Sequence, residues 1–356
     1  MNILFLCSSR SWGGNEKWTQ MAAHELSRKH NVYLAYRKKI VGERFTVSKQ
    51  QLPFLTPFDL FTLYKLVKII RQEKIDILIP TKRKDYMLAG LAAYITHSKS
   101  ILRLGAKRAI PNTPYHCLLY GRLTSGIIVN ADSTHSLLLK SGFIAPLRIR
   151  TIYNGLDLPA LDRAKKAPLA KPFGFTIVAA GRLNANKGFD FLLRGLAKFI
   201  TETNNQDVGI IILGEGPERS SLTMLSKSLG IENRVVLPGF IQEPANYLAS
   251  ADLYIQSSKN EGLSNALLEG MYLSGAVIAT RAGGTEEVIE DGKNGLLIDY
   301  NDIDALAASI KDIATDNNKK QKLTEAAHRT AQARFSIKAM GEGLEHFFKD
   351  IQALQD

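Results

Sequence analysis

The sequence predicts an α/β protein made of two parallel-sheet domains, and three observations carry that prediction. Short apolar strand candidates alternate with amphipathic helical stretches through both halves, the order that places helices on both faces of a parallel sheet. The 356 residues, 45% of them apolar, suffice for two cores of ordinary size. Between the halves, Pro159 to Pro172 combines three prolines with small and basic residues and reads as a hinge.

Taken in order, the first half offers strands at Asn2–Cys7, Val32–Ala35, Ile75–Ile79, Ser100–Leu104, Gly126–Val129 and Arg148–Ile152. The second offers Phe175–Ala180, Val208–Leu213, Arg234–Leu237, Leu253–Gln256, Ala276–Ala279 and Gly295–Ile298. Each half is therefore a Rossmann-like domain, residues 1–158 and 173–335, joined by a linker over 159–172. Phe335 to Ile351 has the apolar spacing of a long helix, weakened locally by Gly341 and Gly343, which would permit a bend. Ligands of open parallel sheets bind beyond the carboxyl ends of the strands, so a site is expected in the cleft between the two domains.

No apolar run approaches the roughly 20 residues of a membrane span. Met1 to Cys7 lacks the basic start and cleavage site of a signal peptide and reads as a buried strand, so a cytoplasmic protein is expected. Cys7 and Cys117 alone fit a reducing compartment and argue against a disulfide framework or structural zinc.

The charge is uneven. Residues 1–160 hold 24 Lys/Arg against 9 Asp/Glu, and residues 161–356 hold 22 against 25. A basic first half suits an anionic substrate or membrane surface. Nucleic acid is not expected as a partner, because no basic recognition helix, zinc-finger spacing or RNP-like strand is present. Leu60 to Lys74 is amphipathic with Lys65, Lys68 and Arg71 at helical spacing, which fits either membrane contact or a core-facing helix with a basic outer face. Arg37–Lys39, Lys82–Lys84 and Lys107–Arg108 add to the surface-binding reading.

The chemistry-bearing motifs lie in the second half. Glu261 to Glu269 sets two carboxylates eight residues apart, with Ser264 as N-cap of a helix over Asn265 to Met271. Glu261 precedes the helix start and Glu269 projects from its body, so a diphosphate can lodge between them on the positive helix end. After Ala180, Gly181-Arg182-Leu183 to Lys187-Gly188 brings a guanidinium and an ammonium to a strand-to-helix turn, where both can reach a pyrophosphate. Gly214-Glu-Gly-Pro217 lacks the third glycine of a dinucleotide fingerprint and reads as a tight turn. Leu237-Pro-Gly-Phe240-Ile241 ends a further strand. Asp302-Ile-Asp304 opens a helix and reads as a cap rather than a metal site.

Asp302-Ile-Asp304 aside, these motifs with Gly283-Gly-Thr-Glu-Glu287 and Asp291-Gly-Lys-Asn-Gly-Leu296 make six, which resemble in order and spacing those of the retaining glycosyltransferases of group 1, family 4. The chain resembles that family over nearly its whole length, and Ile152-Tyr-Asn-Gly-Leu-Asp157 fits as well. The resemblance implies a GT-B fold, with residues 336–356 crossing back onto an acceptor-binding first domain and the second domain holding a nucleotide-sugar. It implies that Arg182, Lys187 and Glu261 are catalytic. Arg182 and Lys187 would hold the diphosphate leaving group, while Glu261 faces the transferred sugar and Glu269 the ribose. Gly214, Gly262 and the N–H groups of Leu263, Ser264 and Asn265 would lie by the donor, Phe240 and Ile241 by the base, and Gly13 and Gly14 would let donor or acceptor approach the backbone. No metal or other cofactor is implied. One departure stands out: the family often has a His after a late strand of the first domain, and here Leu104-Gly-Ala-Lys-Arg108 follows, leaving Arg103 or Lys107 as candidate substitutes.

The expected function is transfer of a sugar, UDP-sugar favoured, to a lipid-linked or lipopolysaccharide glycan, with the basic first domain on the inner face of the membrane. A UDP-sugar epimerase of the same fold is the alternative.

Overall fold

The computed structural model describes residues 1–105 and 109–354. They form two compact units, Met1–Gly155 with Ile337–Asp356, and Leu156–Ser336.

The first unit is a seven-stranded sheet: β1 (Asn2–Cys7), β2 (Asn31–Tyr36), β3 (Ser48–Gln51), β4 (Ile77–Pro80), β5 (Lys99–Leu104), β6 (Gly126–Val129) and β7 (Ile149–Thr151). The order is β3-β2-β1-β4-β5-β6-β7, with every pair parallel. Alternate residues of β1 serve opposite layers, as a period of two requires. Ile3, Phe5 and Cys7 pack with Trp18, Ala22 and Leu26 of the helix Gly14–Leu26 and with Met340, Leu344, Phe347, Phe348 and Ile351 of the helix Ile337–Ala353. Leu4 and Leu6 pack on the other face with Leu66, Ile69, Leu88 and Ala92.

Two readings of the sequence change here. The helix Ile337–Ala353 runs through Gly341 and Gly343 without interruption. A Cβ on Gly341 would stand 2.7 Å from Glu25 Cγ, so that glycine serves the close approach of two helices rather than a bend. The edge strand β3, Ser-Lys-Gln-Gln, was not expected at all. All four of its residues are exposed.

The second unit holds β8 (Phe175–Ala180), β9 (Val208–Leu213), β10 (Val235–Gly239), β11 (Leu253–Gln256), β12 (Ala276–Thr280) and β13 (Leu296–Ile298), in the parallel order β10-β9-β8-β11-β12-β13. Its core joins these strands to Leu192, Leu193, Leu196 and Phe199 of the helix Phe189–Thr203 and to Leu306, Ile310 and Ile313 of the helix Ile303–Thr315. The stretch read as a linker, 159–172, instead opens as part of this unit. Asp157 accepts from the Ala160 N–H at 3.1 Å and caps the helix Leu158–Lys165, whose Pro159 sits in the first turn where no N–H is needed. Leu161 and Ala164 are buried, and Tyr272 donates its hydroxyl to Asp162 at 2.7 Å. Among the described residues, no helix is long and apolar enough to cross a membrane.

Candidate active site

In the second unit the strand order reverses between β8 and β11, and the loops that leave their carboxyl ends flank the crevice where open parallel sheets hold ligands. Residues 181–188 follow β8, and 257–264 follow β11. They are stitched together: Asn186 donates its amide to the Asn260 carbonyl at 2.7 Å, the Lys259 N–H reaches the Asn186 carbonyl at 2.8 Å, and Ser257 Oγ donates to the Lys187 carbonyl at 2.8 Å. Gly188 makes this possible. Its φ is +62°, and a Cβ there would lie 2.2 Å from the Ser257 carbonyl oxygen. Across the seam, Lys187 Nζ meets Glu261 Oε2 at 2.9 Å, with both side chains about four-fifths buried.

The neighbouring loops are equally close. Gly214, after β9, has φ +144°, and a Cβ on it would fall 1.9 Å from the Gly181 carbonyl oxygen, so no larger residue fits. Its N–H donates to the Gly239 carbonyl at 2.9 Å, drawing in the end of β10. Arg219 braces the same turn, donating to Glu215 at 2.8 Å and to the Leu237 carbonyl at 2.7 Å. Arg182 and Phe240 are exposed at these loop tips, and Ile241 is half-buried.

The helix Asn265–Leu273 begins beside Glu261. Ser264 Oγ accepts from the Leu267 N–H at 3.4 Å as its N-cap. Gly262, Leu263, Ser264 and Glu269 are buried, and the Gly284 N–H donates to the Gly262 carbonyl at 2.8 Å, so the Gly283–Glu287 turn supports the loop from behind. Burial first, and then the carboxylates of Glu261 and Glu269, push the Tyr254 hydroxyl well above the usual tyrosine range. Asp302 accepts from the Ala305 N–H at 2.9 Å and Asp304 pairs with Lys198 at 2.9 Å, so this acid pair caps a helix.

Arg182, Lys187, Gly214, Phe240, Ile241, Glu261 to Asn265 and Glu269 thus share the carboxyl edge of one sheet. Gly13 and Gly14 belong to the first unit. Gly13 is extended, at φ −169°, a conformation open to any residue, and a Cβ there would come 3.2 Å from Glu16 Oε2.

The first unit has its own reversal, between β1 and β4. Here Asn15 donates to the Thr81 carbonyl at 2.5 Å, Lys82 meets Glu16 at 2.5 Å, and the Ser8 N–H donates to Asp85 at 3.0 Å. Arg103, on β5, is buried. It donates from Nη1 to Asn15 Oδ1 and from Nη2 to Asn154 Oδ1 at 3.1 Å, and its guanidinium lies 4.6 Å from the centroid of the Trp18 ring. Burial pulls its pKa down to about 10, so it remains a cation at neutral pH. The other candidate, Lys107, lies outside the described residues. Asn154 belongs to the Ile152–Asp157 motif, whereas no local spacing links Asn15 or Trp18 to Arg103.

Asp85 is wholly buried, and desolvation raises its pKa to about 6 against the pull of Ser8, Lys82 and Lys84. A carboxyl whose folded pKa lies above its unfolded value binds more protons folded than unfolded between the two. Stability therefore falls as pH rises from about 4 to about 6, by on the order of 2–3 kcal/mol. Asp85→Asn, which keeps the acceptor for Ser8, should flatten the pH dependence of Tm in that window and raise Tm at pH 7.5. An unchanged slope would show that another group titrates.

The second unit matches the model of the family "Glycosyl transferases group 1" over residues 162–330. It is 31% identical over 225 residues to the lipopolysaccharide core biosynthesis glycosyltransferase LpsE of Rhizobium meliloti, covering 63% of this chain and 64% of that one. It is 28% identical over 221 residues to the N-acetylgalactosamine-N,N'-diacetylbacillosaminyl-diphospho-undecaprenol 4-alpha-N-acetylgalactosaminyltransferase of Campylobacter jejuni, covering 62% and 59%. The match thus spans about three fifths of the length of these curated relatives. Among solved structures, Anabaena Alr3699/HepE in complex with UDP superposes with a TM-score of 0.83 at 21% identity, over 98% of this chain and 100% of that one. The fold is accordingly GT-B, two Rossmann-like domains.

Proposed function

We propose that this protein transfers a sugar from a nucleoside diphosphate sugar, UDP-sugar first among them, to a lipid-linked or lipopolysaccharide glycan, with retention at the sugar carbon and without a metal. The observation that carries the reading is the Lys187–Glu261 pair at the β8/β11 reversal, set beside Arg182 and the start of the helix Asn265–Leu273. That constellation presents cations and a helix N-terminus to a diphosphate, and carboxylates to hydroxyl groups on either side. The names of LpsE and of the Campylobacter enzyme, and the UDP held by HepE, agree with it.

In this reading Arg182 and Lys187 stabilise the charge that grows on the diphosphate as its bond to the sugar breaks. Glu261 accepts from the sugar hydroxyls and Glu269 from the ribose. The acceptor oxygen bonds to the sugar carbon on the face that the diphosphate leaves, and its proton passes to the departing phosphate. The charge met by these side chains makes a divalent ion unnecessary, so turnover should survive a chelator.

A thermal-shift panel of UDP-, GDP- and ADP-sugars on the full chain tests the donor assignment. A ligand at 100 times its dissociation constant stabilises by about 2.7 kcal/mol. A shift with UDP-sugar is expected, and no shift with any of the three would sink the reading. An epimerase would convert the UDP-sugar without an acceptor, which a product assay shows directly.

A further inference from the structure

We propose that the first unit carries a docking site for a lipid-borne phosphate: a small basic, aromatic cavity takes the phosphate head, and an exposed apolar corner beside it enters the bilayer. The inference rests on the transferase reading and names the class of its acceptor.

The cavity, about 190 Å³, is lined by Pro57, Arg83, Lys84, Tyr115, His116 and Tyr120 among others, all within the first unit. Its aromatic wall is ordered. The His116 and Tyr120 rings stack at 6.0 Å and 11°, Tyr115 stands edge-on to His116 at 5.2 Å, and Thr113 Oγ1 holds His116 Nδ1 at 2.7 Å. Tyr120 lies in the π-helical turn Cys117–Arg122, a form that concentrates at functional sites. Arg83 and Lys84, which also line the cavity, open the helix Arg83–Thr96, whose positive end adds to their charge. The next cation, Lys82, is occupied by Glu16 at 2.5 Å. Two cations and a ring stack lining one cavity suit a phosphate with a sugar attached.

Pro57 joins this cavity to the corner. Leu55, Phe58, Leu60, Phe61 and Tyr64 are all exposed, Leu60 by 77% and Tyr64 by 64%. Large apolar side chains gathered this way mark an interaction surface. Lys65 and Lys68 follow Phe61 and Tyr64 at four-residue spacing on the same helix, Leu60–Gln72, and Lys65 Nζ lies 5.5 Å from the Phe61 ring centroid. The one carboxylate of this segment, Asp59, is turned inward, accepting from the Thr62 and Leu55 N–H groups at 3.1 and 3.0 Å. Aromatic tips flanked by lysines, with no exposed acid, complement the headgroup layer of an anionic bilayer. A peptide partner would need no phosphate-sized basic cavity, and a nucleic acid no apolar corner.

The test is co-sedimentation of the full chain with vesicles of phosphatidylcholine, alone, with a few per cent of undecaprenyl phosphate, or with phosphatidylglycerol at equal surface charge. Undecaprenyl phosphate should raise binding most. Phe58→Ser with Phe61→Ser, both exposed, should weaken binding to every vesicle by tenfold or more, roughly, since each removes an inserted ring. Arg83→Ala with Lys84→Ala should remove the preference for undecaprenyl phosphate, by about thirtyfold. Both pairs should keep the wild-type thermal shift with UDP-sugar. Equal binding to all three vesicles, or displacement by soluble pyrophosphate as effective as by lipid phosphate, would overturn the proposal. A retained UDP-sugar shift without vesicle preference overturns this inference alone. Vesicle preference without the shift overturns the transferase reading and leaves the lipid-phosphate site standing.

Discussion

Lys187→Ala is expected to lower kcat by about 100- to 1,000-fold at saturating donor, the scale on which loss of one donor to a developing anion is felt. The ammonium reaches Glu261 at 2.9 Å, and its own backbone carbonyl is held by Ser257, so it is fixed before a donor arrives. Lys187→Ala leaves the Glu261 carboxylate about four-fifths buried without its cation, so some fall in Tm is expected too, and kcat is to be compared below the variant's own Tm. Lys187→Arg should recover part of the loss, since the charge returns but not its position. Arg182→Ala should match the loss in kcat. If Lys187→Ala turned over within threefold of the wild type, the leaving-group role would be gone.

The second large effect concerns stability. Gly188→Ala forces a side chain into left-handed backbone, at about 1–2 kcal/mol, and drives its Cβ to 2.2 Å from the Ser257 carbonyl. The clash is with backbone, so relief means separating the loops after β8 and β11. A total of 3 kcal/mol or more is expected, roughly a 10 °C fall in Tm for a unit of this size, together with weaker donor binding. Gly292→Ala supplies the control. Its φ is +73°, yet a Cβ there meets nothing within 4 Å, so only the conformational cost of about 1–2 kcal/mol should appear. Equal losses at the two positions would mean that the loop seam contributes nothing.

The strands that were legible are the ones buried on both faces, such as Asn2–Cys7 and Val208–Leu213, where an unbroken apolar run leaves little choice. Ser48–Gln51 was invisible because an exposed edge strand carries no apolar pattern, and only its pairing to β2 defines it. The stretch from Pro159 misled for a different reason. Proline in the first helical turn looks like proline in a linker unless the preceding Asp157 is recognised as a cap. On the candidate site, the motifs of the second unit could be read because glycines at 188 and 214 are demanded by contacts that tolerate no Cβ, which ties residue type to position. Asn15 and Trp18 of the Arg103 cluster, and the cavity at Pro57, Arg83 and Tyr115, carry no such local mark. These gather side chains from distant segments, and their proximity exists only once β1, β4 and β5 lie side by side.

The helix Ile337–Ala353 has a consequence for synthesis on the ribosome. The second unit is one continuous stretch, Leu156–Ser336, and can close as soon as it emerges. The first unit cannot, because Met340, Leu344, Phe347, Phe348 and Ile351 fill the layer beneath Ile3 and Phe5. Until residue 351 has been made, the strands synthesised before it keep that apolar face uncovered, a target for chaperones, and a product stopped short of the helix would be left with the same face open to proteolysis.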